Sequence, residues 1–149
     1  MSHILERQTF VFSINLVTFV PGPPEVPSVV TLPMNLRFAA NELILKSIVY
    51  NNTGAVGDID DLVQIWCNLT NDNLIGAFPN SPQQHPIVLS LDQHFSISNS
   101  FQTGNMVLQF QRTTTGNPAS YNPQALISSS AQHTFGTVVL TIEFIKIAK

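Results

Sequence analysis

Apolar side chains recur at every second position along much of this chain, the period of an extended strand with one buried face. Phe10, Phe12, Ile14 and Leu16 share one face of the first such segment, and Thr9, Ser13 and Asn15 share the other with Val11 and Val17. The segment stops at Pro21-Gly22-Pro23-Pro24, where proline removes ladder donors and fixes φ. The pattern predicts a second strand from Val29 to Phe38, with Pro33 marking an edge or a bulge, and a neighbour from about Glu42 to Tyr50. Between them, Ala39, Ala40, Glu42, Leu43, Leu45 and Lys46 are also good helix formers. We read Arg37 to Ser47 as a turn followed by a strand, because Ile48-Val49-Tyr50 carries the apolar run on into β-formers.

Asn51-Asn52-Thr53-Gly54 and Gly57-Asp58-Ile59-Asp60-Asp61 make a loop of turn-favouring residues before a strand from Leu62 to Leu69. Thr70-Asn71-Asp72-Asn73 turns the chain into the short run Leu74 to Phe78, and Pro79 through Pro86 forms a polar connection. Strands follow at Ile87 to Leu91 and Phe95 to Phe101. Gln102-Thr103-Gly104-Asn105 then reads as a tight hairpin turn that pairs the latter with Met106 to Arg112. Thr113 to Ala131 lacks a strand pattern; Asn122-Pro123 resembles a helix start, allowing one short turn over Gln124 to Ser128. The closing strand, His133 to Ile147, sets Val138, Leu140, Ile142 and Phe144 against Thr137, Thr141 and Glu143.

About eight strands without a helix pattern between them exclude a parallel α/β sheet. They predict an all-β fold, an eight-stranded antiparallel jelly-roll sandwich, as one domain over residues 1–149. That topology sets the first and last strands side by side, and their length and regularity suggest adjacent central strands. A chain of 149 residues is long enough to bury roughly two thirds of its unfolded surface.

Composition sharpens this picture. Charged residues are 10% of the chain against about 25% in an average domain, so Asn, Gln, Ser and Thr fill the surface. Neutral amides and hydroxyls can be buried in a contact if they find partners, whereas charges are costly to desolvate. The balance suits a protein packed against others. With a net charge of −3 and no basic patch, direct nucleic-acid binding is not expected. No signal peptide and no apolar run long enough to span a bilayer are read from the sequence, which points to a cytosolic product. The lone Cys67 lies in an apolar run, as a buried thiol would.

A search for chemistry returns no catalytic, cofactor-binding or metal-binding residues. His3, His85, His94 and His133 show no metal-ligand spacing. Asp58, Asp60 and Asp61 share a loop but lack the EF-hand pattern, and solvated turn residues explain them. No Gly-x-Ser-x-Gly elbow or phosphate loop is present, and Ser128-Ser129-Ser130 reads as loop. Glu143 is explained by facing solvent or a partner rather than by catalysis. Asn51-Asn52-Thr53 and Asn68-Leu69-Thr70 fit the glycosylation pattern by chance, in the absence of a signal peptide. Trp66 would stack on a sugar if exposed, but inside the Leu62 to Leu69 run it is assigned to the core.

The strand plan from Phe10 to Ile147, Asn41-Glu42-Leu43-Ile44-Leu45-Lys46 followed by Ile48-Val49-Tyr50-Asn51-Asn52, and the closing Thr137-Val138-Val139-Leu140-Thr141-Ile142-Glu143-Phe144 resemble one family. It comprises the single jelly-roll capsid proteins of large icosahedral double-stranded DNA viruses and virophages, in particular those of pentameric vertex capsomers or pentons. The resemblance covers nearly the full length and implies a structural, non-enzymatic role in the virion, with synthesis in the host cytoplasm. It implies a homopentamer closed by a heterologous interface, in contact with neighbouring major and minor capsid proteins. Contacts would fall at the Pro21 to Pro27 segment, the Asn51 to Asp61 loop and the Thr113 to Ser130 region. The alternatives are a lectin-like or receptor-binding β-sandwich module and, behind it, a cupin-type metalloenzyme.

Overall fold

The computed structural model describes residues 3–16, 28–51, 61–80, 86–114 and 136–148. Six strands account for nearly all of them: β1 (His3–Asn15), β2 (Ser28–Asn51), β3 (Asp61–Cys67), β4 (Leu74–Asn80), β5 (Ile87–Thr114) and β6 (Thr137–Ala148). They form one antiparallel sheet in the order β1-β6-β2-β5-β3-β4. The alternation of β6 explains its central place. Val138, Leu140, Ile142 and Phe144 are fully buried, each side chain contributing about 1.5–3 kcal/mol.

Six strands replace the eight expected because β2 and β5 each run through the sites predicted as turns. The segments 29–38 and 42–50 are one strand, and Gln102 to Asn105 is no hairpin. Phe95 to Phe101 and Met106 to Arg112 do not pair with each other; both lie along β2, where Leu43 faces Phe95 and Leu32 faces Met106. The ladder breaks in between. Four residues of β2 (36–39) lie opposite Gln102 alone, and four of β5 (97–100) lie opposite Asn41 alone. At this corner both strands bend together, so that Leu36, Phe38, Ile97 and Met106 all turn into the core. Folding back on itself would have cost β5 that burial.

The bend divides the pairing into two walls. In one, β1, β6, residues 42–51 of β2 and residues 87–96 of β5 lie side by side. In the other, residues 28–35 of β2, residues 103–110 of β5, β3 and β4 do. Strand β4 stands three places from β2 in the sheet, about 14 Å away if the sheet were flat. Yet the Tyr50 and Phe78 rings are 4.6 Å apart, and a Cβ built on Gly76 would lie 2.8 Å from Leu45 Cδ2. The sheet therefore curls until its walls face each other across a shared core. Glycine at position 76 permits this approach.

The register also corrects the placing of the first strand. β1 does pair with β6, with Phe10 opposite Ile142 and Phe12 opposite Leu140, but β1 is an edge and only β6 is internal. Among the described residues, 28–35 of β2 pair with β5 alone, so Pro33 faces the side of β2 with no described partner, where its missing N–H leaves no gap in that ladder. The Pro21 to Pro27 segment, most of the Asn51 to Asp61 loop, the proposed helical turn at 124–128, His85 and His133 lie outside the described residues. No helix among the described residues is long and apolar enough to cross a membrane.

Candidate functional site

Because strands alternate, each wall has an outer face built from the residues that skip the core, and the two differ. On the first wall, one cross-strand row reads Arg7, Ile145, Glu42, Ser96 and the next Thr9, Glu143, Ile44, His94. Thr9 Oγ1 donates to Glu143 Oε2 at 3.1 Å, and His94 Nδ1 lies 2.5 Å from Glu42 Oε1. The strands are out of step between Leu45 and Ser47, a β-bulge. There Lys46 Nζ donates to Asp92 Oδ1 at 2.9 Å. That hydrogen bond, with the pair's mutual attraction, raises the Lys46 ammonium above its ordinary value and lowers the Asp92 carboxyl. Both groups are exposed, so solvent screens the pair. Further along, Ser13, Val139, Val49 and Val88 form a row with no charge.

On the second wall the rows are Val29, Gln109, Trp66, Leu74 and then Gln111, Gln64, Ala77. No described side chain in them is charged. Trp66 is thus not in the core: Val63, Ile65 and Cys67 are, and Trp66 has the opposite parity, with Gln64. The apolar run masked this, although counting by twos from Cys67 finds it. Trp66, Cys67, Asn68, Asn73, Val107 and Gln109 line a cleft of about 380 Å³.

The rim of this cleft is fixed by hydrogen bonds. Asn68 Nδ2 donates to Asn105 O (3.2 Å), and Asn68 Oδ1 accepts from Val107 N (2.8 Å). The Asn73 amide nitrogen, in the orientation its surroundings require, donates to Thr70 O at 2.8 Å and Cys67 O at 3.3 Å. Cys67 N donates to Asn73 O at 2.7 Å, and Thr70 Oγ1 to Asp72 O at 2.7 Å. Asn71 N and Ser96 O (2.9 Å), with Ser98 N and Leu69 O (3.0 Å), tie the connection to β5. Among the described residues, Trp66 Nε1 and Gln111 Oε1 are buried without partners. Each such group costs about 1–3 kcal/mol.

The remaining candidates fall elsewhere. Cys67 is free and buried, and burial pushes its thiol up, partly offset by hydrogen bonds from the Leu69 and Thr70 backbone. Glu143 does not face solvent: it lies on the outer face yet is only 7% exposed, held by Thr9. His3 opens β1 and His94 lies in β5, so these two are not brought together. Among the described residues no three His, Cys, Asp or Glu side chains are placed to hold a metal ion. In the Asn68-Leu69-Thr70 pattern, Asn68 is hydrogen-bonded at both ends of its amide and Thr70 is buried. Asp58, Asp60, Asn52, Thr53 and Ser128 to Ser130 lie outside the described residues.

The architecture defines an antiparallel β-protein whose single sheet curls on itself. No protein-family profile and no curated protein matches the sequence. Among solved structures, the chain is similar to the P-domain of Macrobrachium rosenbergii nodavirus, with 14% identity, a TM-score of 0.30, and coverage of 96% of this chain and 94% of that one. It is also similar to the infectious bursal disease virus VP2 subviral particle, with 11% identity, a TM-score of 0.28, and coverage of 97% of this chain but 42% of the VP2 chain.

Proposed function

We propose that this chain is a structural capsid protein of one domain, an eight-stranded jelly roll that assembles as the pentameric capsomer of icosahedral vertices. The observation that carries the reading is the strand order with its register. Counting each half of β2 and β5 as a strand gives two walls of four. The chain then visits the walls in the sequence first, second, first, second, second, first, second, first, which is the double wrap of a jelly roll. Capsid proteins, lectins and cupins share that architecture.

Within that set, the charge-poor surface favours assembly. The row Ser13, Val139, Val49, Val88 can be covered by a neighbour without stranding ions. Val11, Val29 and Val88 are exposed in the isolated chain. A ring of five closes through a heterologous interface, one patch meeting a different patch on the next copy. Neighbouring capsid proteins would complete its surroundings in the virion. The role is mechanical rather than enzymatic.

Light scattering on the purified protein across a concentration series tests this directly. A pentamer, or a monomer that becomes one on concentration, supports the reading, and a monomer or trimer at every concentration overturns it.

A further inference from the structure

We propose that the cleft beside Trp66 is a binding site for a neutral sugar, a function independent of the vertex reading. Three observations converge on that ligand class. The first is the orientation of the indole. Trp66 is partly exposed while Nε1, the only heteroatom of its side chain, is buried. What the ring offers to solvent is therefore carbon surface, and the C–H face of a pyranose packs against such a surface without needing a hydrogen bond from the ring.

The second is the rim. Asn68, Asn73 and Gln109 supply amides, each with two donors and two acceptor lone pairs, so an amide can serve both partners of a vicinal diol. Asn68 and Asn73 are already held by hydrogen bonds to the backbone. Asn68 retains one donor and one acceptor lone pair, and Asn73, whose two donors are used, retains its acceptor oxygen; both are fixed in direction, which lowers the ordering cost of binding. Gln109, between Val29 and Trp66 in the register, is the adjustable member.

The third is charge. None of the six described lining residues carries a formal charge in its ordinary state, and the one titratable group among them, the Cys67 thiol, is held neutral by burial. An anionic or cationic ligand would leave its charge without a counterpart, whereas neutral hydroxyls are matched. At about 380 Å³ the cleft falls at the small end of ligand sites, the size of one or two sugar rings.

The protein contains a single tryptophan and two tyrosines, so emission excited selectively at tryptophan reports on this cleft alone. The full-length protein is titrated with the methyl glycosides of glucose, galactose, mannose, fucose and N-acetylglucosamine. The expected result is a saturable change in Trp66 emission with at least one glycoside, half-complete at about 1–10 mM. Gln109→Ala, which keeps the reporter, should weaken it at least about tenfold, the loss of an amide hydrogen-bonding pair. Saturation-transfer NMR on Trp66→Ala should show no transfer to the sugar.

The absence of a saturable change with all five glycosides overturns the proposal, as does binding that survives both substitutions. A shift of Trp66 emission with protein concentration alone would also overturn it, assigning the face to a second copy of the chain. Should Trp66→Ala fail to fold, as judged by circular dichroism, Gln109→Ala decides.

Discussion

The outer faces of the two walls are made from the same alternation, yet one carries ions and the other does not. On the first, Thr9 holds the buried carboxylate of Glu143, and the exposed Lys46 and Asp92 pair at a bulge. On the second, amides and apolar groups surround Trp66. The difference teaches that period two settles only which residues leave the core. What each face then does depends on the side chains that share a row across strands, and those come from distant parts of the sequence.

Perturbations can be ranked by how far they break this contrast. The largest effect should come from the contact that joins the walls. Phe78→Ala removes the ring packed on Tyr50 and should cost about 3–5 kcal/mol. Urea unfolding followed by Trp66 emission, which reports on the second wall, and by far-UV circular dichroism, which reports on both, should remain coincident. Separate transitions would mean the walls unfold independently.

A smaller effect should appear at alkaline pH. Burial pushes the Tyr50 hydroxyl up to about 12, partly offset by the hydrogen bond from Gly136. A folded value above the unfolded value near 10 means stability is intact below pH 10. It is lost as pH rises from 10 to 12, by on the order of 2 kcal/mol. Tyr50→Phe should flatten that slope; an unchanged slope would assign it to other groups.

The faces themselves should respond unequally to loss of a polar side chain. Glu143→Ala removes the hydrogen bond between the exposed Thr9 hydroxyl and a buried carboxylate and should cost about 1–3 kcal/mol, whereas Gln109→Ala should stay within about 0.5 kcal/mol. Equal losses in chemical denaturation would erase the distinction. Smallest of all, Lys46→Ala removes an exposed, screened pair and should leave the thermal midpoint unchanged at moderate salt.

The same logic separates what could be read in the sequence from what could not. The inward sets of β1 and β6 were legible because each is a clean local alternation, and with them the pairing of first and last strands. The continuity of β2 and β5 was not. Around Asn41 and Gly104 the local composition fits a turn, and whether a chain bends or folds back there depends on which distant strand offers a longer buried ladder. Trp66 was legible in principle, since its parity with Gln64 places it outside, but a run of apolar neighbours outweighed that count. The cleft beside it was not legible, because Asn73 and Gln109 meet only through strand pairing.

The pairing of β1 with β6 also sets when the fold can be finished. Thr9 and Glu143 are 134 positions apart, so β1 waits for β6. Until β6 emerges, β1 and the 42–51 segment of β2 each lack their shared neighbour, with unpaired backbone N–H and C=O groups open to any strand nearby. Contacts this remote in sequence make completion slow. A chain cut short after β5 would expose those edges permanently and should be recovered as aggregate rather than as a smaller domain.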